Sequence, residues 1–434
     1  MPEGIRPPGS HPRGALAAPR IPGISLTTVV HPGDSLTSRQ RLVYIVLLGA
    51  LTALGPFTID LYLPAFPVLE QELDITAATV QLTLTATTLG FGLGQLVVGP
   101  WSDRIGRRLP LIIATSAHVL ASIGVAAAPS VEWLMVFRLL QGAGAAAGGV
   151  VAMAVVRDLF GGLPLVRMLS RLALVNGLAP VLAPLIGSQL LLVMPWRGIF
   201  VVLAGYGVLV VAAAVFFIRE TLPPERRQTP GHGSLRERYR SLFGDRVFVG
   251  VAIIGAMTFS GLFAYLSSSS FLFQDVYGLD AQQYGILFAV NSLGIIIGTQ
   301  TSARIMRLVG PQWVLGFSTA VLFLAPVAIV VLDRVGAGFL GVMIPLFLFI
   351  TACGFSFPCV QVLALANNGS EAGTAASLLG ALNFGLAGLL SPIVGLFGIE
   401  NAVPMGSIMA CAAGVSVLVL WTVVRPKTVP ALSR

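Results

Sequence analysis

The sequence predicts an all-α membrane protein of twelve transmembrane helices in two six-helix halves, and three observations predict it. Apolar residues make up 56% of the chain and charged residues only 10%, where a soluble domain carries roughly a quarter. A surface so poor in charge must face hydrocarbon. Apolar runs of about 20 residues recur along the chain, each long enough to cross a bilayer core of about 30 Å. Finally, the basic residues fall almost wholly to one side of those runs.

Residues 1–40 are rich in Pro, Gly, Arg and Ser, without a sustained apolar run. They read as a disordered cytoplasmic tail and not as a secretory signal, which needs a continuous apolar core. Residues 41–218 form the N-terminal half, with spans expected near 42–66, 76–100, 110–129, 131–156, 168–193 and 197–218. A polar central loop follows at 219–245. Residues 246–425 form the C-terminal half, with spans near 246–273, 282–304, 312–332, 338–365, 372–397 and 401–424, and residues 426–434 are a second tail. A weak internal echo supports two halves: Asp103-Arg104-Ile105 after span two has a counterpart in Ala303-Arg304-Ile305 after span eight.

With both termini placed inside, 23 of the 26 basic residues are cytoplasmic, two (Arg197 and Arg334) are external, and Arg138 lies within a span. That asymmetry sets the orientation. It also accounts for the net charge of +8 without a nucleic-acid partner. A phosphate cradle of the GxxxxGK[ST] type is excluded, because the only lysine is Lys427, near the C-terminus. No nucleophile–base pair or metal cluster stands at usable spacing, so an enzyme, a metal site and a cofactor are not expected. Cys353, Cys359 and Cys411 all lie in apolar runs and read as buried, inert thiols. The four histidines are scattered, three of them in tail or loops. Transport must therefore run on an ion gradient or on the substrate's own gradient, and a passive channel stays open as an alternative.

Four motifs carry a family resemblance. Gly99-Pro-Trp-Ser-Asp103-Arg104-Ile-Gly106-Arg107-Arg108 closes span two. It resembles the loop 2–3 signature of the major facilitator superfamily, with Trp101 where that pattern has Leu. In span four, Arg138-Leu-Leu-Gln141-Gly142 looks like the family's proton-linked arginine motif. In span five, Gly177-Leu-Ala-Pro180-Val-Leu-Ala-Pro184-Leu-Ile-Gly187 resembles the antiporter signature of the drug:proton exchangers, with Ala183-Pro184 in place of its Gly-Pro. In span one, Asp60-Leu-Tyr62-Leu-Pro64-Ala-Phe-Pro67 is similar to the first-helix motif of the bicyclomycin and chloramphenicol/florfenicol resistance subfamily. Trp196-Arg197-Gly-Ile-Phe200, Glu220-Thr-Leu-Pro223 and Leu262-Phe-Ala-Tyr265 point the same way. The resemblance covers about residues 42–425.

Asp60 is the only acidic residue deep in a span, and Arg138 the only basic one. Charges at such depth cost about 2.5–3.5 kcal/mol by insertion scales and usually serve transport. The expectation is that Asp60 carries the coupled proton with Arg138 as its partner; the bland alternatives are a helix cap and an arginine satisfying backbone carbonyls. Gln141 shares a helix face with Arg138. Gly177, Pro180, Pro184 and Gly187 line one face, which either packs as a kinked surface or, as the resemblance implies, seals the two halves against leak. Gly99, Asp103, Arg104, Gly106, Arg107 and Arg108 form either a solvated loop or a charge latch holding the halves closed on the cytoplasmic side. The resemblance implies a cavity lined by spans one, four, seven and ten. Its candidate substrate-facing groups are Tyr62, Gln141, Met153, Tyr265, Ser268, Phe355 and Ser356, each also readable as packing. The expected activity is export of small amphipathic drugs in exchange for protons, by a monomer in the bacterial cytoplasmic membrane. An exporter of an endogenous metabolite and an uptake symporter remain as rivals.

Overall fold

The computed structural model describes residues 32–227, 235–366 and 372–429. Most of the expected N-terminal tail, part of the central loop and the last residues lie outside the described residues. Twelve helices long and apolar enough to cross a membrane stand among the described residues. We number them α1 (Ser38–Asp60), α2 (Ala77–Ile105), α3 (Arg108–Ala126), α4 (Val131–Leu159), α5 (Gly162–Leu190), α6 (Trp196–Phe217), α7 (Arg246–Phe271), α8 (Ala281–Val309), α9 (Pro311–Arg334), α10 (Gly338–Ala366), α11 (Ala372–Leu390) and α12 (Val403–Val419).

Local chemistry sets the starts. Thr37 and Gln40 form a capping box at α1, and Asp280 and Gln283 form another at α8, each satisfying two backbone donors that a helix start leaves unpaired. Asp245 caps α7 by accepting from the Val247 N–H at 2.8 Å. Span one is longer than its first helix. After Asp60 the chain turns through Leu61 and Tyr62, makes a short 3-10 helix over Leu63–Ala65, and resumes as a helix at Phe66–Leu73. Pro64 and Pro67 supply no backbone donor, so a continuous α-helix is broken there.

Two boundaries differ from the sequence reading. The connection before α5 is only Phe160 and Gly161, and Arg167 and Arg171 lie inside α5 rather than in a loop. Pro164 falls in the first turn of α5, where a missing N–H costs nothing, so the helix starts earlier than its apolar run. In the central loop, Leu235–Gly244 is helical, packs on α7 and α11, and buries Leu242. Cys353 and Cys359 are buried, but Cys411 is on an exposed face of α12. That corrects the expectation for Cys411: an apolar run in a membrane helix has a lipid-facing side too.

The second six helices repeat the pairings of the first six. In the first half, α2 and α3 each pack on α4, α3 on α6, and α1 on α5 and α6; in the second, α8 and α9 pack on α10, α9 on α12, and α7 on α11 and α12. Glycines permit the closest of these approaches. A Cβ on Gly90 would fall 2.0 Å from the Leu139 carbonyl oxygen, and one on Gly298 would fall 2.2 Å from that of Thr351. The halves meet along α2 with α11 and α5 with α8, pairings again related by exchanging the halves.

The hydrogen bonds between halves gather at the end opposite the basic loops. Gln81 of α2 donates to the Ser267 carbonyl at 3.2 Å and accepts from the Gly395 N–H at 3.0 Å. Gln274 donates to the Pro64 carbonyl at 3.1 Å, and Gln282 to that of Ser188 at 3.1 Å. Phe66 and Phe271 add a ring contact with centroids 5.7 Å apart.

Candidate functional site in the membrane interior

Arg138 of α4 is fully buried. One terminal nitrogen donates to the Thr58 carbonyl of α1 at 3.0 Å and to Gln141 Oε1 at 2.7 Å. The guanidinium carbon sits 4.0 Å above the centre of the Tyr62 ring and 5.4 Å from that of Phe200, a placement the ring quadrupoles favour. Its Nε and second terminal nitrogen meet no acceptor. The bonds continue through α3. Gln141 donates to Ser122 Oγ at 2.8 Å, Ser122 donates to the His118 carbonyl at 2.7 Å, and His118 Nε2 lies 2.9 Å from Thr58 Oγ1. A closed polar ring thus ties α1, α3 and α4 together inside the first half.

Asp60 is two residues beyond Thr58, at the last residue of α1, and is buried. It forms no ion pair with Arg138, and no hydrogen bond of a described residue engages its carboxylate. The capping alternative loses its basis here. A carboxylate caps helix N-termini, where N–H groups are free, whereas the C-terminal end of α1 presents carbonyls and the negative end of the helix dipole. Across the junction of the halves, Asp60 is within electrostatic reach of the Tyr265 and Tyr284 hydroxyls. Tyr265 accepts from Asn291 Nδ2 at 3.3 Å, and Tyr284 lies 2.8 Å from Ser269 Oγ.

The other candidates separate into occupied and open groups. Tyr62 and Gln141 are fully buried and engaged with Arg138, Thr83 and Ser122, so in this arrangement neither offers a surface to a ligand. Ser268 donates to the Ala264 carbonyl at 2.5 Å. Phe355 stands edge-on to Phe317 of α9, while the buried Ser356 hydroxyl has no partner. Met153 is 38% exposed, and Gly149 one turn before it faces open space. Sequence reasoning missed an aromatic cluster between the halves. Phe384 of α11 lies 4.6 Å from Phe91 of α2 and 5.3 Å from Phe259 of α7, and Phe259 lies 4.9 Å from Phe357 of α10. Phe259, Phe357 and Phe384 keep part of their surface exposed. The chain has 24 phenylalanines, and only the packing of four helices singles these out. His118 was also passed over, as an isolated histidine.

The basic loop forms a compact cluster within the first half. Arg107 pairs with Asp103 and donates from Nε to Asp158 Oδ2 of α4 at 2.9 Å. Burial opposes its charge, but these two carboxylates outweigh that and raise its pKa. Glu220, just past α6, accepts from the N–H of Arg107 at 2.8 Å and of Arg108 at 3.2 Å, at the start of α3. Gly106 has φ of +109°, and a Cβ there would come 2.4 Å from Glu220 Oε2; glycine is required on both counts. Gly99 lies beside Ser377 of α11, while Arg104 is exposed. No bond of the charged groups reaches the second half among the described residues, so this arrangement differs from the closed latch of the sequence reading. The α5 motif straddles two neighbours: a Cβ on Gly187 would fall 1.8 Å from the Leu61 carbonyl oxygen, while Gly177 and Pro184 face Ile296 and Gly285 of α8. Pro180, between them, is half-buried. At the opposite end of the molecule, a crevice of about 890 Å³ is lined by Tyr277, Asp333 and Glu400. Asp333 there is bonded to the Ala402 N–H, and the crevice is separate from the polar ring.

A broken first helix, a buried arginine and carboxylate without a mutual bond, and two equivalent six-helix halves are now in place. Residues 46–392 match the model of the Major Facilitator Superfamily. The chain belongs to that superfamily. It is 36% identical to the MFS-type transporter YdgK of Bacillus subtilis over 387 residues, 89% of this chain and 96% of that one. It is 29% identical to a bicyclomycin resistance protein homolog of Haemophilus influenzae, over 88% of this chain and 96% of that one. In fold it is similar to the partially occluded, inward-open xylose transporter XylE from E. coli, with a TM-score of 0.71 at 13% identity over 91% of this chain and 99% of that one. The protein is a multi-pass transporter of the bacterial inner membrane.

Proposed function

We propose that this chain exports small amphipathic drugs in exchange for protons, acting as a monomer with both termini cytoplasmic. The observation that carries the reading is the pair of buried ionisable groups, one acidic and one basic, that make no mutual bond. Arg138 keeps two unused donor groups and Asp60 has no hydrogen-bond partner among the described residues, on adjacent helices of one half. Unpaired charges in a membrane interior are costly and are retained where transport uses them. In the present arrangement the halves are bonded at the end opposite the basic loops, which on the positive-inside orientation is the external end. This is an inward-open state with Asp60 walled from outside. As the halves rock, Asp60 exchanges a proton with one aqueous face and then the other, and its ionised form finds its counter-ion in the spare donors of Arg138. Proton binding and drug release compete through that exchange. The Asp103, Arg107 and Asp158 cluster acts in the opposite state, when the basic ends of the halves approach.

The partly exposed rings of Phe259, Phe357 and Phe384 suit an apolar or aromatic ligand of variable shape, as does the partly exposed Met153 of α4. The bicyclomycin resistance relative agrees with an antibiotic-like substrate. The decisive experiment is proton-gradient-driven flux in reconstituted vesicles. Asp60→Asn cannot titrate and should abolish uphill export while leaving binding of neutral drugs within a few-fold. Uphill flux within about twofold of the parent, in a folded variant, would remove Asp60 from the coupling role.

A further inference from the structure

His118 is the one histidine among the described residues, and nothing in the coupling scheme above uses its side chain. Its surroundings are built to hold it. Its Cβ lies against Gly144 of α4, and its Nδ1 faces Gly207 of α6, where an added methyl would come 3.3 Å from that nitrogen. The donor count fixes its tautomer. Thr58 Oγ1 donates to the Leu54 carbonyl at 2.7 Å, so its only hydrogen is committed and it must accept from the imidazole. Nε2 therefore carries the proton. Nδ1 meets no partner among the described residues.

The ring is fully buried, and the cation that bears on it, Arg138, disfavours a second proton there. From α1 the facing group is Thr58. From α6 it is Gly207, with the neighbouring Tyr206 committed to the Ala50 carbonyl at 2.6 Å. The imidazole thus makes a single directed bond, and that bond lands on the residue whose carbonyl anchors Arg138. Thr58 is also two residues from Asp60 and four from Tyr62, the ring beneath the guanidinium. Fixing Thr58 fixes the rotation of the last turn of α1, and with it the offset between the carboxylate and the guanidinium.

We infer that His118 is a positioning residue for coupling: as a neutral Nε2–H donor to Thr58, it holds the end of α1 in the register that keeps Asp60 and Arg138 apart in this state. It transfers no proton itself. The inference rests on the proton-coupled reading above.

The test compares two neutral amides in vesicles. The carboxamide nitrogen of His118→Gln reaches about as far as Nε2, whereas that of His118→Asn stops near Nδ1. Uphill drug accumulation should be near the parent level for Gln and reduced about tenfold for Asn, the scale of one lost buried hydrogen bond. Downhill drug exchange should be unchanged in both, and Thr58→Val should match Asn. Loss of uphill transport in Gln as well would overturn positioning in favour of a titrating imidazole. Full coupling in Asn, or equal loss of uphill and downhill flux, would also overturn it. A parent that pumps no drug uphill refutes the proposed function and this inference with it; a pumping parent and a pumping Asn variant refute this inference alone.

Discussion

At the scale of single residues, the charged groups whose bonding is complete hold structure, and those with bonding capacity to spare are the ones the proposed mechanism uses. Glu220 shows the first kind. Burial opposes its ionisation, yet the N–H groups of Arg107, Leu222, Arg108 and Thr221 outweigh it and hold the carboxyl below its ordinary value. A depressed carboxyl contributes stability that is complete above the unfolded value, about 4.3 for Glu, and is lost as pH falls through the lower folded value. Glu220→Gln should therefore melt earlier than the parent at neutral pH, with a gap that narrows as pH drops below about 4. Thermal midpoints in detergent across that range check it; a gap independent of pH would mean that packing, not charge, holds Glu220. Asp60 and Arg138 show the second kind. Their identity as the deep charges was legible in the sequence, because only one residue of each sign sits deep in an apolar run. Their separation was not. It depends on Thr58, His118, Ser122 and Gln141, whose side chains come together from residues up to 83 positions apart, and no spacing rule records that.

At the scale of helices, close contacts fall at glycines, because close approach of two helices leaves no room for a side chain. Gly90 and Gly94 of α2 lie on the backbone of α4 at Leu139 and Ala143, and Gly298 of α8 lies on α10. Gly90→Ala must push α2 from α4, at about 1–3 kcal/mol for an overpacked contact. Gly149→Ala, on the same pair of helices but facing open space, should be neutral or slightly stabilising through helix propensity. The difference between their melting temperatures tests whether the spacing matters for contact rather than for glycine content. Helix starts were less legible. The start of α5 followed Gly161 and a first-turn proline rather than its apolar run, and the helix at Leu235–Gly244 lay in a segment read as loop because its apolar face is short. The aromatic cluster escaped for a different reason: apolar residues are everywhere in such a chain, so only packing separates a cavity wall from a lipid-facing surface.

At the scale of the molecule, the two halves are joined by few polar bonds, and one side chain makes two of them. Gln81 is fully buried and bridges α2 to both α7 and the segment after α11, through the Ser267 carbonyl and the Gly395 N–H. Both bonds exist only while the halves meet at this end, so they favour this arrangement over one that opens here. A ligand or a substitution shifts such an equilibrium only through what differs between the two states. Replacing Gln81 by Leu keeps a side chain of similar size and removes both bonds, so the Ser267 carbonyl and the Gly395 N–H, which also donates to the Pro392 carbonyl, lose their link across the halves. At about 1 kcal/mol for each bond, the equilibrium should move roughly tenfold or more toward the state open at this end. Spin labels at the exposed positions Gln71 and Glu400, one on each half, should then report a larger population of long distances than in the parent. The same change should slow net export, because a transporter that rests in one state spends less time crossing to the other. An unchanged distance distribution in Gln81→Leu would mean that the apolar contacts of α2 with α11 and α5 with α8 set the balance, and that the polar bridge only follows it.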